Sequence, residues 1–328
     1  MKKQLNPWRV AVVFLIFTAA GIAYTVFCLN VIDFSFTESG SYGSSDKVTA
    51  QLSEDHSMNV TDRGSADKLE GKTAFVLIFA DDNGGKWDRS SDFFYECRRN
   101  MFDHIIETAA WLTAQGEAFG KKLEFAYPEN ENDSLLYYDA DIDTPSIANS
   151  TERYHFAHSG EKVWDYIDSN VKNDEIKSSL SCDNVVYLIC TTSDEIVASS
   201  AFGVYDRDLE KPYEFAVLHF CSDKDSYTVA PSTVAHETLH LFGAADLYKA
   251  DVLGIGYRIT DEVVNYVGTY YPDDIMYSTY DAVTGVKYED KITQKITDAT
   301  AYYLGWGGAV YDVDALGLTH SQFDTKTE

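Results

Sequence analysis

Positive charge is scarce in this chain. Lysine and arginine number 26 against 53 aspartates and glutamates, and the formal net charge is -27. A protein that grips a phosphate backbone needs basic patches, so this balance argues against nucleic acid as a partner. It suits a soluble, self-repelling surface instead. Cysteine is also sparse, with 5 in 328 residues. No C-x2-C pair occurs, which argues against a zinc ribbon. No internal repeat is present, so the chain does not read as a repeat array. Apolar periodicity is missing from Asp33 to Lys72, a Ser-, Gly- and Asp-rich stretch that reads as a flexible stalk.

What is abundant is core material. The sequence is 45% hydrophobic and 14% aromatic, with 23 Tyr and 18 Phe, ample for a sizeable globular domain. Lys2, Lys3 and Arg9 precede an apolar run from Val10 to Ile32, and Asp33 and Glu38 follow it. Such a run is long enough to cross a bilayer. The charge asymmetry puts residues 1–9 in the cytoplasm and the remainder outside. The rival is a secretory signal peptide: Gly21, Ile22 and Ala23 would suit cleavage before Tyr24. Either reading exports the bulk of the chain. Cys97, Cys182, Cys190 and Cys221 then lie where disulfides are permitted; their spacing selects no pairing, and buried thiols fit equally well.

Order is expected from Thr73. The run Thr73–Ala80 reads as a buried strand. Phe94, Met101, Ile105, Ala109 and Leu112 keep helical spacing over about 91–118, and 122–127 reads as a second strand. Strand, long helix, strand is a right-handed parallel unit. A helix around 161–171, strands at 184–192 and 213–220, and a partner strand at 200–205 follow. A helix is expected over 232–242 with Ser232 as its N-cap, and an amphipathic helix over 291–306.

The densest chemistry is the run "VAHETLHLFGAADLY", Val234 to Tyr248. On a helix, residues four apart share a face, so His236 and His240 offer two imidazoles to one ion. Glu237 lies beside that ion, placed to take a proton from a water molecule there. Catalytic zinc wants three protein ligands and one open position. Gly243 can adopt a positive φ and end the helix, and Asp246 can then return to the metal.

These residues resemble the metzincin zinc metallopeptidases, whose signature is H-E-x-x-H-x-x-G-x-x-[HD]. The variant with aspartate as third ligand is similar to the snapalysin and immune inhibitor A peptidases. The resemblance implies an α/β (α+β) fold: a twisted, mostly parallel sheet with a backing helix and an active-site helix, and a small C-terminal subdomain with a Met-turn. Met276 in "DDIMYSTY" is its counterpart here. It implies an upper part over 73–242, a lower part over 243–312, and a tail over 313–328. It implies zinc on His236, His240 and Asp246, Glu237 as base, and a protein or peptide substrate cleaved outside the cell. One position departs from the pattern. Several metzincins carry a transition-state tyrosine two residues after the Met; here that residue is Ser278, leaving Tyr277 and Tyr280 as the oxyanion donors to weigh.

Rival readings exist. A gluzincin-type peptidase would take Glu262 as third ligand, but lacks the glycine turn that favours Asp246. A catalytically inactive zinc-binding module for adhesion or capture, or a zinc that only staples the fold, uses the same ligands without hydrolysis. Asp139, Asp141 and Asp143 alternate as in calcium loops, but the glycine and closing glutamate of an EF-hand are missing, and a solvated acidic loop is the plainer reading. His155 and His158 have no carboxylate beside them.

Overall fold

Three apolar runs that read as strands need cover on both faces, because an unbroken apolar strand cannot leave either side in water. The computed structural model supplies that cover. It describes residues 65–81, 85–142, 153–193, 199–202, 213–221, 228–252, 258–259 and 261–307. The expected anchor, most of the stalk, the C-terminal tail and Asp143 lie outside the described residues.

In chain order the elements are β1 (Gly71–Asp81), α1 (Asp92–Ala118), β2 (Leu123–Ala126), β3 (Tyr137–Asp141), α2 (Arg153–Asn170), α3 (Asn173–Leu180) and β4 (Asn184–Ser193). Then come β5 (Ser200–Phe202), β6 (Phe215–Cys221), α4 (Pro231–Leu241), β7 (Asp251–Val252), β8 (Arg258–Ile259), α5 (Asp261–Tyr270) and α6 (Asp298–Tyr303). Six strands form one sheet in the order β2-β1-β4-β6-β5, and β3 also pairs with β1. β2 takes residues 71–74 of β1 and β3 takes 77–81, both in parallel. β4 pairs with β1 and with β6 in parallel, and only β5 runs antiparallel, against β6. β7 and β8 make a separate two-stranded ladder. The class is therefore mixed α/β with a mostly parallel sheet.

Alternation along each strand sorts the side chains into two cores. Phe75, Leu77 and Phe79 of β1, Val186 and Leu188 of β4, and Leu218 and Phe220 of β6 meet α1 and α4 on one face. Val76, Ile78, Val185, Tyr187, Ile189 and Val217 meet Trp164 and Ile167 of α2 and Ile176 of α3 on the other. The register aligns Leu77 with Leu188 and Leu188 with Ala216, so each row points to one layer. α1 lies against α4, where the Thr108 hydroxyl donates to the Pro231 carbonyl at 3.3 Å.

Several local expectations change. The helix expected at 232 begins at Pro231 with Ala230 as N-cap. Proline has no N–H to leave unsatisfied and so fits the first helical position. Ser232 sits inside the first turn and donates to the Thr279 carbonyl at 2.9 Å. The helix expected over 291–306 is confined to α6, because the segment before it is extended and bridges the turn at Asp274. There Ile275 N–H donates to Lys295 O and Lys295 N–H to Asp273 O. Thr297 caps α6, accepting from Ala299 N–H. β3 arises in the segment read as an acidic loop. Its Asp139 carboxylate is gripped by Arg89 at 2.6 Å and by buried Arg98 at 2.9 Å. Burial works against that carboxylate, and the two guanidiniums outweigh it and hold its pKa below the ordinary value. A calcium ion would have to displace both. Cys97, Cys182, Cys190 and Cys221 are free thiols.

Phe79 ties three elements together. Its ring stacks edge-on with Trp87 at 5.0 Å, lies 5.9 Å from Tyr137, and carries the Arg98 guanidinium 4.2 Å above it. Phe79→Ala should lower the unfolding free energy by ~3–5 kcal/mol in urea titration, since it opens a cavity and strips one face from a buried cation. A loss under ~1 kcal/mol would mean the site collapses and that this cluster is not structural.

Candidate metal and catalytic centre

α4 is buried along its length, from Pro231 through Leu239, with His240 half-buried. His236 and His240 lie one turn apart with rings perpendicular and centroids 4.7 Å apart. His236 Nδ1 is 2.9 Å from the Ile275 carbonyl, and His240 Nδ1 is 2.8 Å from the Ala244 carbonyl. A peptide carbonyl only accepts, so each Nδ1 carries the hydrogen and each Nε2 is left with its lone pair. The fold thus fixes both tautomers in the form a metal uses.

The helix ends as the glycine allows. Gly243 adopts φ 95°, a conformation that side chains resist. Its N–H donates to His240 O, and Ala244 N–H to Leu239 O, closing the last turn. The chain reverses and returns Asp246 to the histidines. His236 Nε2 lies 3.2 Å from Asp246 Oδ1, His240 Nε2 lies 3.1 Å from it, and the two Nε2 atoms are 3.2 Å apart. Three electron-pair donors therefore form a nearly equilateral triangle. Asp246 Oδ1 is buried and accepts no hydrogen bond of proper geometry, despite those short distances. Tetrahedral zinc with bonds of about 2.0–2.1 Å separates its ligand atoms by about 3.3 Å. Donor chemistry, spacing and the orphaned oxygen all fit such an ion. Among the described residues, these three are the group able to hold a metal. Glu262 lies in the first turn of α5, and its side chain is outside the described residues.

A tight turn at residues 274–277 supports the triangle. Ile275 offers its carbonyl to His236, and the next carbonyl, Met276 O, accepts from Leu247 N–H at 2.9 Å. Met276 is fully buried. The Asp274 carboxylate, also fully buried, accepts from Met276 N–H at 2.8 Å, Thr300 Oγ1 at 2.7 Å and Thr297 Oγ1 at 2.5 Å. One carboxylate thus pins the turn to α6.

Glu237 follows His236 on the helix and is 6% exposed. Burial raises its pKa, partly offset by the two imidazoles, and a lysine, Lys287, also acts on it electrostatically. Tyr277 packs against α5, where a Cβ on Gly268 would come within 2.5 Å of its hydroxyl. It makes no hydrogen bond to the three ligand residues. Tyr280 stands at the surface, 50% exposed, with the Lys287 Nζ 4.7 Å from its ring centroid. Three neighbours were not singled out in the sequence. The Tyr248 ring lies 6.4 Å from that of His236, Lys249 Nζ lies 3.5 Å from Asp246 Oδ2, and Lys287 reaches the first turn of α4. Tyr248 and Lys249 adjoin the motif and were findable there; Lys287 lies far away in sequence and carries no local signal.

No protein-family model and no curated protein matches the chain. Among solved structures it is similar to one titled "Structure of a chaperone-substrate complex", at 9% identity and a TM-score of 0.33. That match covers 74% of this chain and 36% of the other, so this chain spans about a third of its length. So slight a likeness carries no argument about the site.

Two outcomes follow from this geometry. Asp274→Asn removes the charge that organises the turn, and should raise the zinc dissociation constant ~10–100-fold in chelator competition. The second concerns protons. With no metal bound, burial opposes the His240 imidazolium but the adjacent Asp246 carboxylate outweighs it, raising His240 from 6.5 to about 9. Asp246 is pushed far below 3.8, its own burial overcome by the two imidazoles. A raised histidine stabilises fully below pH 6.5 and loses that contribution as pH climbs through 9; a depressed aspartate contributes above 3.8 and loses it in acid. The melting temperature of chelator-treated protein should therefore fall between pH 6.5 and 9, and Asp246→Asn should flatten that fall. Zinc uptake at pH 7 should release protons, read by calorimetry in buffers of different ionisation enthalpy.

Proposed function

We propose that this chain is a zinc-dependent endopeptidase of metzincin type, held outside the cell by its N-terminal apolar segment or released after cleavage there. The observation that carries this reading is the triangle of His236 Nε2, His240 Nε2 and Asp246 Oδ1, with a buried glutamate beside it. The Met276 turn and the mostly parallel sheet with its backing helix α1 support the same reading. Three ligands leave a fourth position open, which favours chemistry over a purely structural ion. Asp246 completes the triangle, which favours it over Glu262.

His236, His240 and Asp246 would hold the ion, and zinc when bound supplies Lewis acidity to a water molecule and to the substrate carbonyl. Glu237 takes a proton from the attacking water as its oxygen bonds to the carbonyl carbon and the carbonyl π pair moves onto oxygen. The same carboxyl then gives that proton to the amine nitrogen as the C–N bond breaks. One water is consumed, and an acid and an amine are released. Burial keeps bulk water from Glu237 and raises its basicity, which suits both halves of this exchange. The nearby Ile275 and Ala244 carbonyls keep the imidazoles turned to the ion throughout. β5 ends the sheet's strand order and offers an edge against which an extended peptide can lie.

Glu237→Ala in the full chain should retain one zinc per chain and an unchanged melting curve, while cleavage of a peptide library falls by about 10²–10⁴-fold. Zinc bound by the unaltered chain with no cleavage of any library member would instead support a capture or adhesion module.

A further inference from the structure

Beyond Met276 the chain makes a tight loop, 279–287, whose hydrogen bonds position one side chain. Asp281 organises it: its Oδ1 accepts from Thr284 N–H at 2.7 Å, Thr284 Oγ1 at 2.8 Å and Val283 N–H at 3.1 Å. Asp281 N–H donates to Val286 O, and Gly285, at φ 66°, donates to Asp281 O. The loop is fastened to α4 at its start, where Ser232 Oγ donates to Thr279 O. It is fastened again at its end, where Lys287 Nζ donates to Thr233 Oγ1 at 3.1 Å. Ser232 and Thr233 are consecutive, so both ends of this turn close on the first turn of the helix that carries His236 and His240.

That closure sets the lysine against the first turn of α4. Thr233 and Glu237 are four residues apart and share one face of α4. The ammonium bonded to Thr233 is therefore on the face of α4 that carries Glu237, close enough to act on it electrostatically, with the Tyr280 ring 4.7 Å away. Each of the two groups shifts the ionisation of the other. Burial lowers the Lys287 pKa to about 8, which leaves it mostly cationic at neutral pH. The chain carries few cations, so one drawn toward a buried carboxylate calls for an explanation.

We propose that Lys287 is a catalytic residue whose ammonium hydrogen-bonds the scissile carbonyl oxygen as negative charge develops there. This assignment rests on the peptidase reading above. It supplies a donor where Ser278 stands two residues after Met276, and it fits the placement of Tyr277 against α5. A cation held in advance in a partly desolvated position stabilises developing charge without reorganising, and it favours the transition state over the neutral ground-state amide.

The test uses the full zinc-loaded chain and a peptide it cleaves. Lys287→Met keeps length and removes charge. It should lower kcat about 100-fold while KM for a neutral peptide stays within about twofold and zinc content is unchanged. Lys287→Arg should recover at least a tenth of the lost rate. A phosphinic analogue of the same peptide, with a tetrahedral anion in place of the scissile amide, should bind Lys287→Met at least about tenfold more weakly by calorimetry. If kcat of Lys287→Met lies within twofold of the parent, or if KM rises with kcat intact, Lys287 is not the oxyanion donor and the peptidase reading stands. If Lys287→Met fails to fold, a Lys287→Arg protein that folds and binds the analogue no better than a neutral peptide overturns the assignment. If the parent chain binds zinc and cleaves nothing, both readings fall together.

Discussion

Two consecutive carbonyls, Ile275 O and Met276 O, hold the centre in register. The first fixes the His236 ring and tautomer; the second holds Leu247, and with it the Asp246 loop. A ligand set drawn from a helix and a loop needs a common reference, because an error of a fraction of an ångström in either spoils a metal site. The turn provides one, and buried Asp274 makes it stiff by spending its carboxylate on the turn and on α6 at once. Helix, loop and C-terminal segment are thereby referred to two adjacent peptide groups.

The sheet explains why that reference can hold. β1, β4 and β6 are covered on both faces, and α4 rests on the layer shared with α1. Close-packed interiors compress little, so a helix seated this way presents His236 and His240 with little freedom. The electrostatics run the same way. In a chain with twice as many acids as bases, Lys249 and Lys287 nonetheless stand beside Asp246 and near Glu237. Elsewhere Arg89 and Arg98 neutralise Asp139. Fully buried Asp274 is instead satisfied by hydroxyl and backbone N–H donors without a cation.

Much of this was legible in one dimension. The strands at 71–81, 184–193 and 215–221 were readable because fully buried strands are unbroken apolar runs, and α1 because its apolar residues keep helical spacing. A pairing of β5 with β6 was also expected; its antiparallel sense was not. What misled was local propensity where long-range pairing dominates. Residues 291–297 read as helix but are drawn into extended contact with 273–275, and Tyr137–Asp141 read as an acidic loop but are zipped onto the free half of β1's edge. Ser232 reads as a cap, yet Pro231 takes the helix start and leaves the serine hydroxyl for Thr279.

The sequence alone determined the donor types and their order: two imidazoles four residues apart, a glutamate between them, a glycine, and a carboxylate three residues on. Those features are local, so helical periodicity and the freedom of glycine suffice to place them. Only the tertiary structure decided that the three donor atoms close to 3.1–3.2 Å, that both histidines bear their hydrogen on Nδ1, and that Tyr277 turns to α5 while Lys287 comes to α4. Each depends on groups tens of residues distant, brought together by hydrogen bonds between backbone segments, and such pairings leave no periodic mark in the chain that makes them.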